Sequence, residues 1–477
     1  MDEPALILRL ADELLSLILS FLVAEIEPSE RQDRLFAIHR SPSPPGGVRK
    51  GERSDLDRYR LVCKRFMRLA TPWKFRRFVL RFSRAGFQRL DELIQMGMAQ
   101  HVRYFTYMVR PYYQGGWDAY LQSLQASNRK LSDIHARRLA EQRTLIESHT
   151  DALSLRHAMR CFSSLQQIKL LRLQDESDEI VLEQVRRSHT SGNDGPRLDW
   201  ELACTRAIMG LSTALLGTNL RCVRFLAPQL IPEAGLRLVH TPRGTMAAIA
   251  ERLTSLDITL YSPQSLTPTL STLSPVFRRF FQAARNLTSI HVGFSPTNPA
   301  DVPLEQVFHH VHWERLRSLG IQGWRLTCLE LIGIVRRHSA CLEELRLPYV
   351  HLHQGSSGRW RDLLAVLHDE MNRLRRVDLR GINYYQNLDD EDDPDSKTTR
   401  LMMGEVLLCP GWPSSVCDCE HGGQPRQIPS TEQLRALGVD DLGDDGLHVE
   451  REHWTLWQAW LMATPRTEQV NGFAKLY

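Results

Sequence analysis

The chain has 477 residues, of which 42% are hydrophobic, and 60 basic against 56 acidic side chains give it a formal net charge of +4. This length exceeds one compact domain and allows a sizeable apolar core. The near balance of charge excludes a global field that would draw the protein to nucleic acid or to a membrane. Nine cysteines, an odd number behind a start that lacks a secretory signal, indicate reduced thiols.

The first predicted element is a helix over residues 14–23 (LLSLILSFLV), which is apolar almost all the way round. Such a helix must be covered on more than one side. The acidic start of the chain, MDEP, lacks the positive charge of a signal peptide, and an apolar run of ten residues is too short to span a bilayer. We therefore predict a helix that is half core and half binding surface, in a protein of the cytoplasm, the nucleus or both.

A second predicted helix covers residues 56–73, where apolar side chains recur at helical intervals until Pro72 ends the helix. Residues 24–55 separate the two helices. This insert is charged and contains a run of Pro and Gly, and we predict that it is largely flexible.

The two helical segments resemble an F-box. Residues 10–22 match its opening pattern, L-P-x-E-L-L-x-x-I-x-x-x-L, with Ala11 in place of the usual proline, and residues 61–66 match its closing L-V-C-K-R-F. The continuation FRRFVLRFSRAGFQRL is similar to F-box proteins of filamentous fungi. An ordinary pair of amphipathic helices is the alternative interpretation.

The resemblance implies that residues 1–75 form a helical module that docks on the adaptor subunit of the SCF cullin-RING ubiquitin ligase, and through it on the cullin. The rest of the chain then recruits a protein substrate. The side chains expected to form the core and the adaptor-facing side of the module are Leu10, Leu14, Leu15, Ile18, Leu22, Val62 and Phe66.

A short pattern recurs along the remaining chain, with Leu at its first position and apolar residues at its fourth and sixth. From Leu220 onward the copies begin 26 to 34 residues apart, close to the period of leucine-rich repeats. Helical spacing fills the gaps, as in residues 326–338, so each copy predicts a strand followed by a helix. The copies begin at Leu165, Leu220, Leu253, Leu287, Leu316, Leu342 and Leu374.

This spacing predicts an α/β protein in which the F-box-like helical module is followed by an irregular leucine-rich-repeat solenoid of strands and helices over residues 76–387. Residues near 118–160 are predicted to be a helical insertion, and residues 174–197 a solvated loop around a short helix. An acidic and Cys-containing loop region follows at 388–430, and residues 431–477 are predicted to cap the last repeat. A generic α/β domain is the alternative.

Alternation along each predicted strand sends the third and fifth positions of the pattern to an exposed sheet face. Mixed charges on such a face suit recognition of a protein surface, although they also serve simply to keep the face hydrated. The side chains expected there, as candidates for substrate binding, are Lys169, Arg224, Asp257, His291, Glu344, Arg346, Arg376 and Asp378.

The sequence holds no phosphate-binding loop, no glycine-rich dinucleotide turn, no zinc-protease helix and no nucleophile elbow. Cys409, Cys417, Cys419 and His421 are a weak candidate for a zinc site, because their spacing matches no usual structural site. We therefore predict a non-catalytic substrate receptor of an SCF-type ligase, with no cofactor and no nucleic-acid or membrane partner. The rival prediction is a leucine-rich-repeat interaction scaffold with no ubiquitin-ligase role.

Overall fold

The computed structural model describes residues 7, 10–24, 55–187, 195–221, 223–262, 266–354, 358–385 and 429–463. The chain divides into two compact units, residues 1–229 and 230–477. Residues 25–54 of the predicted insert, and all but the last two residues of the predicted loop region 388–430, lie outside the described residues.

The first unit begins with three helices and continues with alternating strands and helices. The helices are α1 (Asp12–Ala24), α2 (Asp55–Arg60), α3 (Lys64–Lys74), α4 (Arg84–Gln95), α5 (Trp117–Ser127), α6 (Arg129–Glu147), α7 (Thr150–Cys161), α8 (Glu176–Arg187) and α9 (Trp200–Leu216). The strands are β1 (Arg77–Arg81), β2 (Tyr104–Val109), β3 (Tyr112–Gln114), β4 (Gln167–Arg172), β5 (Arg197–Asp199) and β6 (Val223–Leu230), which ends at the boundary.

The second unit continues the alternation of strands and helices. Its helices are α10 (Arg243–Ala250), α11 (Thr267–Ala283), α12 (Glu305–Phe308), α13 (Cys328–Arg337), α14 (Trp360–Asp369), α15 (Thr431–Ala436) and α16 (Arg451–Ala463). Its strands are β7 (Leu253–Leu260), β8 (Ser289–Phe294), β9 (Ser318–Gln322), β10 (Trp324–Leu326), β11 (Glu344–Arg346), β12 (Val350–His353), β13 (Arg376–Asp378) and β14 (Asn383–Tyr385).

The prediction of an irregular leucine-rich-repeat solenoid over residues 76–387 is wrong. The chain is α/β with a large parallel sheet of nine strands flanked by helices, and the strands follow chain order: β1-β2-β4-β6 from the first unit and β7-β8-β9-β11-β13 from the second. The prediction failed because apolar residues at the first, fourth and sixth positions occur in any parallel strand that is covered by a helix. The spacing therefore located strands without specifying how they assemble.

Side chains that alternate along the strands build the core. In β8, Ile290, Val292 and Phe294 are buried, whereas Ser289 and His291 point to the other face and are partly exposed. The register then places each buried side chain beside another, for example Ile290 beside Leu256 of β7 and beside Leu319 of β9. Apolar side chains thus stack from strand to strand under the helices.

The C-terminal helix α16 packs against α14 and the last strand of the sheet, β13. Trp457 is completely buried and its indole N–H donates a hydrogen bond to the carbonyl of Leu442 at 2.9 Å. Trp460 stacks on His368 of α14, with 4.4 Å between ring centroids. Of the cap predicted over residues 431–477, the structure describes the part up to residue 463, and that part covers β13.

Helices α5, α6 and α7 occupy the segment near 118–160 that was predicted to be a helical insertion. A cluster of four charged side chains connects α6 to the residue that follows β2 and to the start of α8. Arg110 and Arg138 each bind both Asp175 and Asp178, at distances of 2.6 to 2.9 Å. Asp178 is only 1% exposed, so its charge depends on the two guanidinium groups.

The ionisation of Asp175 reflects the same cluster. Burial opposes its charge, but hydrogen bonds from Ser177 and Arg110 outweigh burial and hold the pKa of the Asp175 carboxyl well below its usual range. The segment 174–197, predicted to be a solvated loop around a short helix, does contain the helix α8. The prediction that this segment is solvated is wrong at Asp178, because that carboxylate is buried.

Replacing Asp178 with Asn should lower the free energy of unfolding by about 3 kcal/mol, because two largely buried guanidinium groups then share a single carboxylate. Asp118→Asn is the matched control, since Asp118 pairs with Arg143 at 2.8 Å on the surface. This control should change stability by less than about 1 kcal/mol. Chemical denaturation followed by circular dichroism measures both values, and equal losses would contradict a buried cluster that stabilises the fold.

His135 of α6 is fully buried beside this cluster. Its Nδ1 lies 2.9 Å from the hydroxyl of Tyr113 and its Nε2 lies 3.1 Å from the carbonyl oxygen of Ser177. Burial lowers the pKa of His135 to about 4. The neutral imidazole is therefore the form that the folded chain retains at neutral pH.

Acidification should destabilise the first unit through His135. The unfolded chain binds a proton on this imidazole at about pH 6.5 and the folded chain only at about pH 4, so stability is lost as the pH falls through that window. In His135→Gln the dependence of unfolding free energy on pH should be flatter by up to about 1.4 kcal/mol per pH unit. Denaturation curves across this window test the difference, and parallel profiles for the two proteins would refute it.

Candidate functional site

The three N-terminal helices enclose a small apolar core of their own. Tyr59 of α2 stacks on Phe66 of α3 with ring centroids 4.5 Å apart, and its hydroxyl donates to the carbonyl of Leu15 in α1 at 3.4 Å. These contacts hold α1 against two helices that are remote in sequence. The buried residues of this core are Leu15, Leu19, Leu56, Tyr59, Phe66 and Ala70.

Charged contacts fix the start of α1 to α3. Arg65 donates to the Asp12 carboxylate and to the carbonyl of Leu10, both at 2.6 Å, and Arg68 donates to the other carboxylate oxygen at 2.8 Å. The hydrogen bond and charge of Arg65 lower the pKa of Asp12 against a smaller opposing effect of burial. The first turn of α1 is thereby held in one orientation over α3.

The outer side of the same helices is apolar and exposed. In α1, Leu14, Leu17, Ile18 and Phe21 are three or four residues apart and therefore lie along one side of the helix. Phe21 is 68% exposed, more than any other large apolar side chain among the described residues. Single exposed apolar side chains are ordinary, but a group of them on short helices marks an interaction surface.

We name this group the apolar face. It combines the four α1 side chains with three from the turn after α2 and from α3. Its members are Leu14, Leu17, Ile18, Phe21, Leu61, Val62 and Met67, and each is more than a third exposed.

The residues predicted to bind an adaptor divide between the core and the apolar face. Leu15 and Phe66 are buried, Leu10 is partly buried, and Leu14, Ile18 and Val62 belong to the apolar face. The backbone of Leu22 continues α1, but its side chain lies outside the described residues.

The predicted set does not contain Leu17, Phe21, Leu61 or Met67, which the structure places on the apolar face. A family pattern marks positions that match, whether they are buried or exposed. Helical spacing was the available signal, because Leu17 and Phe21 are one turn apart and flank Leu14 and Ile18.

In the second unit the structure brings the predicted strand-face residues together. Asp257 lies opposite His291, and the same row continues through Gly320 and Arg346 to Asp378. Only glycine fits at position 320 with this arrangement of His291, because a Cβ there would lie 2.2 Å from the Nδ1 atom of His291.

The next row of the second unit carries Glu344 and Arg376 opposite each other. The Glu344 carboxylate accepts a hydrogen bond from Nε of Arg346 at 2.7 Å and pairs with Arg376 at 3.2 Å. Asp378 pairs with Arg380 at 2.6 Å. These side chains satisfy one another, so this part of the sheet presents little net charge.

In the first unit the register differs from the prediction. The repeat pattern placed Lys169 and Arg224 in equivalent positions, but Lys169 lies opposite Leu226 and Arg224 lies opposite Gln167. The looser copy that begins at Leu220 was therefore aligned two residues out of register. A shift of two keeps both side chains on the same face but separates them along the strands. Lys169 is only 5% exposed.

No group of three or more His, Cys, Asp or Glu side chains within the described ranges is arranged to hold a metal ion. The weak zinc candidate Cys409, Cys417, Cys419 and His421 lies outside those ranges. Helices in the described part of the chain are all too short or too polar to cross a membrane.

A pocket of about 330 Å³ adjoins the charged cluster of the first unit, and its lining includes Arg110, Arg138 and Gln142. Both guanidinium groups bind Asp175 and Asp178, and the Gln142 side-chain oxygen accepts from the backbone N–H of Tyr113 at 3.2 Å. These polar groups of the pocket lining therefore bind other groups of the protein and hold α6 in place. We take the apolar face as the stronger candidate site for this reason.

A scan against protein-family models and a search of curated proteins find no match to the chain.

Two phenylalanines of the N-terminal helices should respond differently to truncation. Phe66→Ala removes a buried ring and should lower the free energy of unfolding by about 3 kcal/mol, whereas Phe21→Ala removes an exposed ring and should change it by less than about 0.5 kcal/mol. Chemical denaturation monitored by circular dichroism gives both values. A large loss for Phe21→Ala would show that this ring is part of a core and not of a surface.

Proposed function

We propose that this protein is a substrate-recognition subunit of an SCF-type cullin-RING ubiquitin ligase. In this proposal the apolar face of the N-terminal helices binds the adaptor subunit, and the α/β region holds a protein substrate. The observation that carries the proposal is the apolar face itself, since it lies on the helices whose sequence resembles an F-box.

The arrangement of the module supports a docking role. Six buried residues form a core that does not include the apolar face, so the helices hold together without using the exposed side chains. Covering a large apolar side chain contributes on the order of 1 kcal/mol or more to binding. Only the part of this contribution that exceeds the entropic cost of association appears as affinity, so several such side chains must be covered together.

The proposed mechanism is one of proximity. The receptor holds its substrate close to a ubiquitin-loaded enzyme that other subunits bring, and so raises the effective concentration of the acceptor lysine. The chain itself supplies binding and no chemistry. We place it in the cytoplasm or the nucleus, where such ligases act.

Binding to the recombinant adaptor should be lost in a Leu17→Asp, Val62→Asp double variant, because two carboxylates would have to be desolvated in an apolar interface. The expected loss in affinity is more than about tenfold, since each charge costs more than about 1 kcal/mol. Leu15 and Phe66 are unsuitable positions, because both are buried in the module core and charges there would unfold it.

Leu329→Asp is the matched control, since Leu329 of α13 is exposed to a similar degree, 59% against 53% for Leu17. The measurement is a pull-down or calorimetric titration with full-length protein, after circular dichroism has shown that each variant is folded. Capture of wild type and control but not of the double variant supports the proposal. Failure of the wild type to bind any adaptor would overturn it.

A further inference from the structure

The pocket of about 330 Å³ in the first unit lies along one side of α6. The α6 residues in its lining recur at intervals of three or four positions from Ile134 to Leu145, and so they share one side of the helix. The rest of the lining follows β1, at residues 82 and 83, and β2, at residues 110 and 113. Small-molecule sites enclose roughly 300–1,000 Å³, so this pocket suits a ligand of about one or two amino-acid residues in size.

One part of the lining is apolar. Phe82 and Leu145 are buried, and Ile134 is partly buried. The Phe82 ring packs against the rings of Phe87 and Tyr112, with centroids 6.1 and 5.7 Å away, and is therefore held in place. We name Phe82, Ile134 and Leu145 the apolar wall, because an apolar group of a ligand would be covered there.

Two charged side chains of α6 line the same pocket and have no ion-pair partner among the described residues. Arg137 is exposed, and its only side-chain hydrogen bond runs from Nε to the carbonyl of Asp133 at 3.3 Å. Glu141 is one turn further along and partly buried, and its carboxylate does not pair with Arg137. A cation one turn before an anion is the less favourable order on a helix. Both charges are therefore open to a ligand.

Gln142 offers a hydrogen-bond donor from a buried position in the lining. Its side-chain oxygen accepts from the backbone N–H of Tyr113 at 3.2 Å, whereas its amide nitrogen has no partner within the described part of the chain. Gln142 is only 8% exposed, and leaving such a donor unpaired is costly. Ser83 adds a second donor, since its Oγ accepts from the N–H of Gly86 at 3.1 Å and its hydroxyl proton is still free to donate.

These open groups define the chemistry of a ligand. Donors from Arg137, Gln142 and Ser83 suit a carboxylate, which accepts several hydrogen bonds at once. The carboxylate of Glu141 suits an N–H group or an ammonium, and the apolar wall suits a hydrocarbon side chain. A phosphate group carries up to about two negative charges and would meet a single unpaired guanidinium beside a carboxylate, so it fits less well. An amino-acid unit with a free carboxylate combines the three required features.

We propose that this pocket binds an apolar amino-acid residue that carries a free α-carboxylate, either as a free amino acid or as the C-terminal residue of a peptide. The carboxylate accepts from Arg137 and Gln142, the α-nitrogen donates to Glu141, and the side chain lies against the apolar wall. This site uses no residue of the apolar face, and it does not rest on the proposed ligase function.

The test titrates full-length protein with three probes, L-leucine, N-acetyl-L-leucine and L-leucinamide, by saturation-transfer NMR. N-acetyl-L-leucine keeps the carboxylate but has an amide N–H in place of the ammonium, as the C-terminal residue of a peptide does. L-leucinamide lacks the carboxylate and should bind at least about tenfold more weakly than L-leucine. Tighter binding of L-leucine identifies the free amino acid as the source, and tighter binding of N-acetyl-L-leucine identifies the peptide C-terminus.

Variants of α6 test the assigned contacts. Arg137→Gln should weaken binding of L-leucine about fivefold, because an exposed ion pair is lost. Glu141→Gln should weaken L-leucine by about the same factor but N-acetyl-L-leucine by less than about twofold, because the acetylated nitrogen carries no charge. Arg143→Gln is the matched control, since Arg143 of α6 pairs with Asp118 at the surface, and it should change affinity by less than about twofold. Circular dichroism shows that each variant is folded.

Three results would overturn the inference: no binding of L-leucine or N-acetyl-L-leucine up to about 10 mM, equal affinity for L-leucinamide, or equal losses in Arg137→Gln and the control. Adaptor binding is measured on the same samples. If the adaptor fails to bind but L-leucine binds through Arg137, the ligase function falls and the pocket stands. If the adaptor binds and none of the probes does, only the present inference falls.

Discussion

Backbone hydrogen bonding between successive parallel strands determines which side chains of this protein become neighbours. The ladder between β8 and β9 places Ile290 beside Leu319 in the core, and by the same register it places His291 over Gly320 on the opposite face. The same pairing of β8 with β9 thus determines both the apolar contacts on one face of the sheet and the polar contacts on the other. The charge balance of the second unit depends on it as well, since the same kind of pairing places Glu344 beside Arg376.

The sequence located strands well where a buried strand is short and regular. The copy that begins at Leu253 lies in β7, and the one that begins at Leu287 leads into β8. The helix predicted over residues 326–338 corresponds to α13, which starts at Cys328 because the side chains of Thr327 and Glu330 cap it reciprocally. Such features depend on neighbours in sequence, and so a local pattern was sufficient to find them.

The arrangement of the strands in the sheet could not be predicted from the sequence in the same way. The apolar spacing suggested a leucine-rich-repeat solenoid, whereas the strands form a large helix-flanked parallel sheet, because a local pattern does not encode how strands are connected. The ion pairs of Asp178 with Arg110 and Arg138 join residues 68 and 40 positions apart, and charged residues beside a turn-rich stretch gave no sign of burial. Within the N-terminal module, the family resemblance selected Leu15 and Ile18 alike, and only the packing of three helices distinguishes the buried one from the exposed one.

The C-terminal helix α16 has a consequence for the order in which the chain folds. A ribosome delivers residues from the N-terminus, and the first unit has its compact contacts within residues 1–229, so it can complete its core while the rest is being made. The second unit cannot, because α16, which packs against β13, is synthesised long after β13 itself. A premature stop codon just beyond β14 would therefore leave the first unit intact and expose the last strand of the sheet, where an uncovered edge favours aggregation.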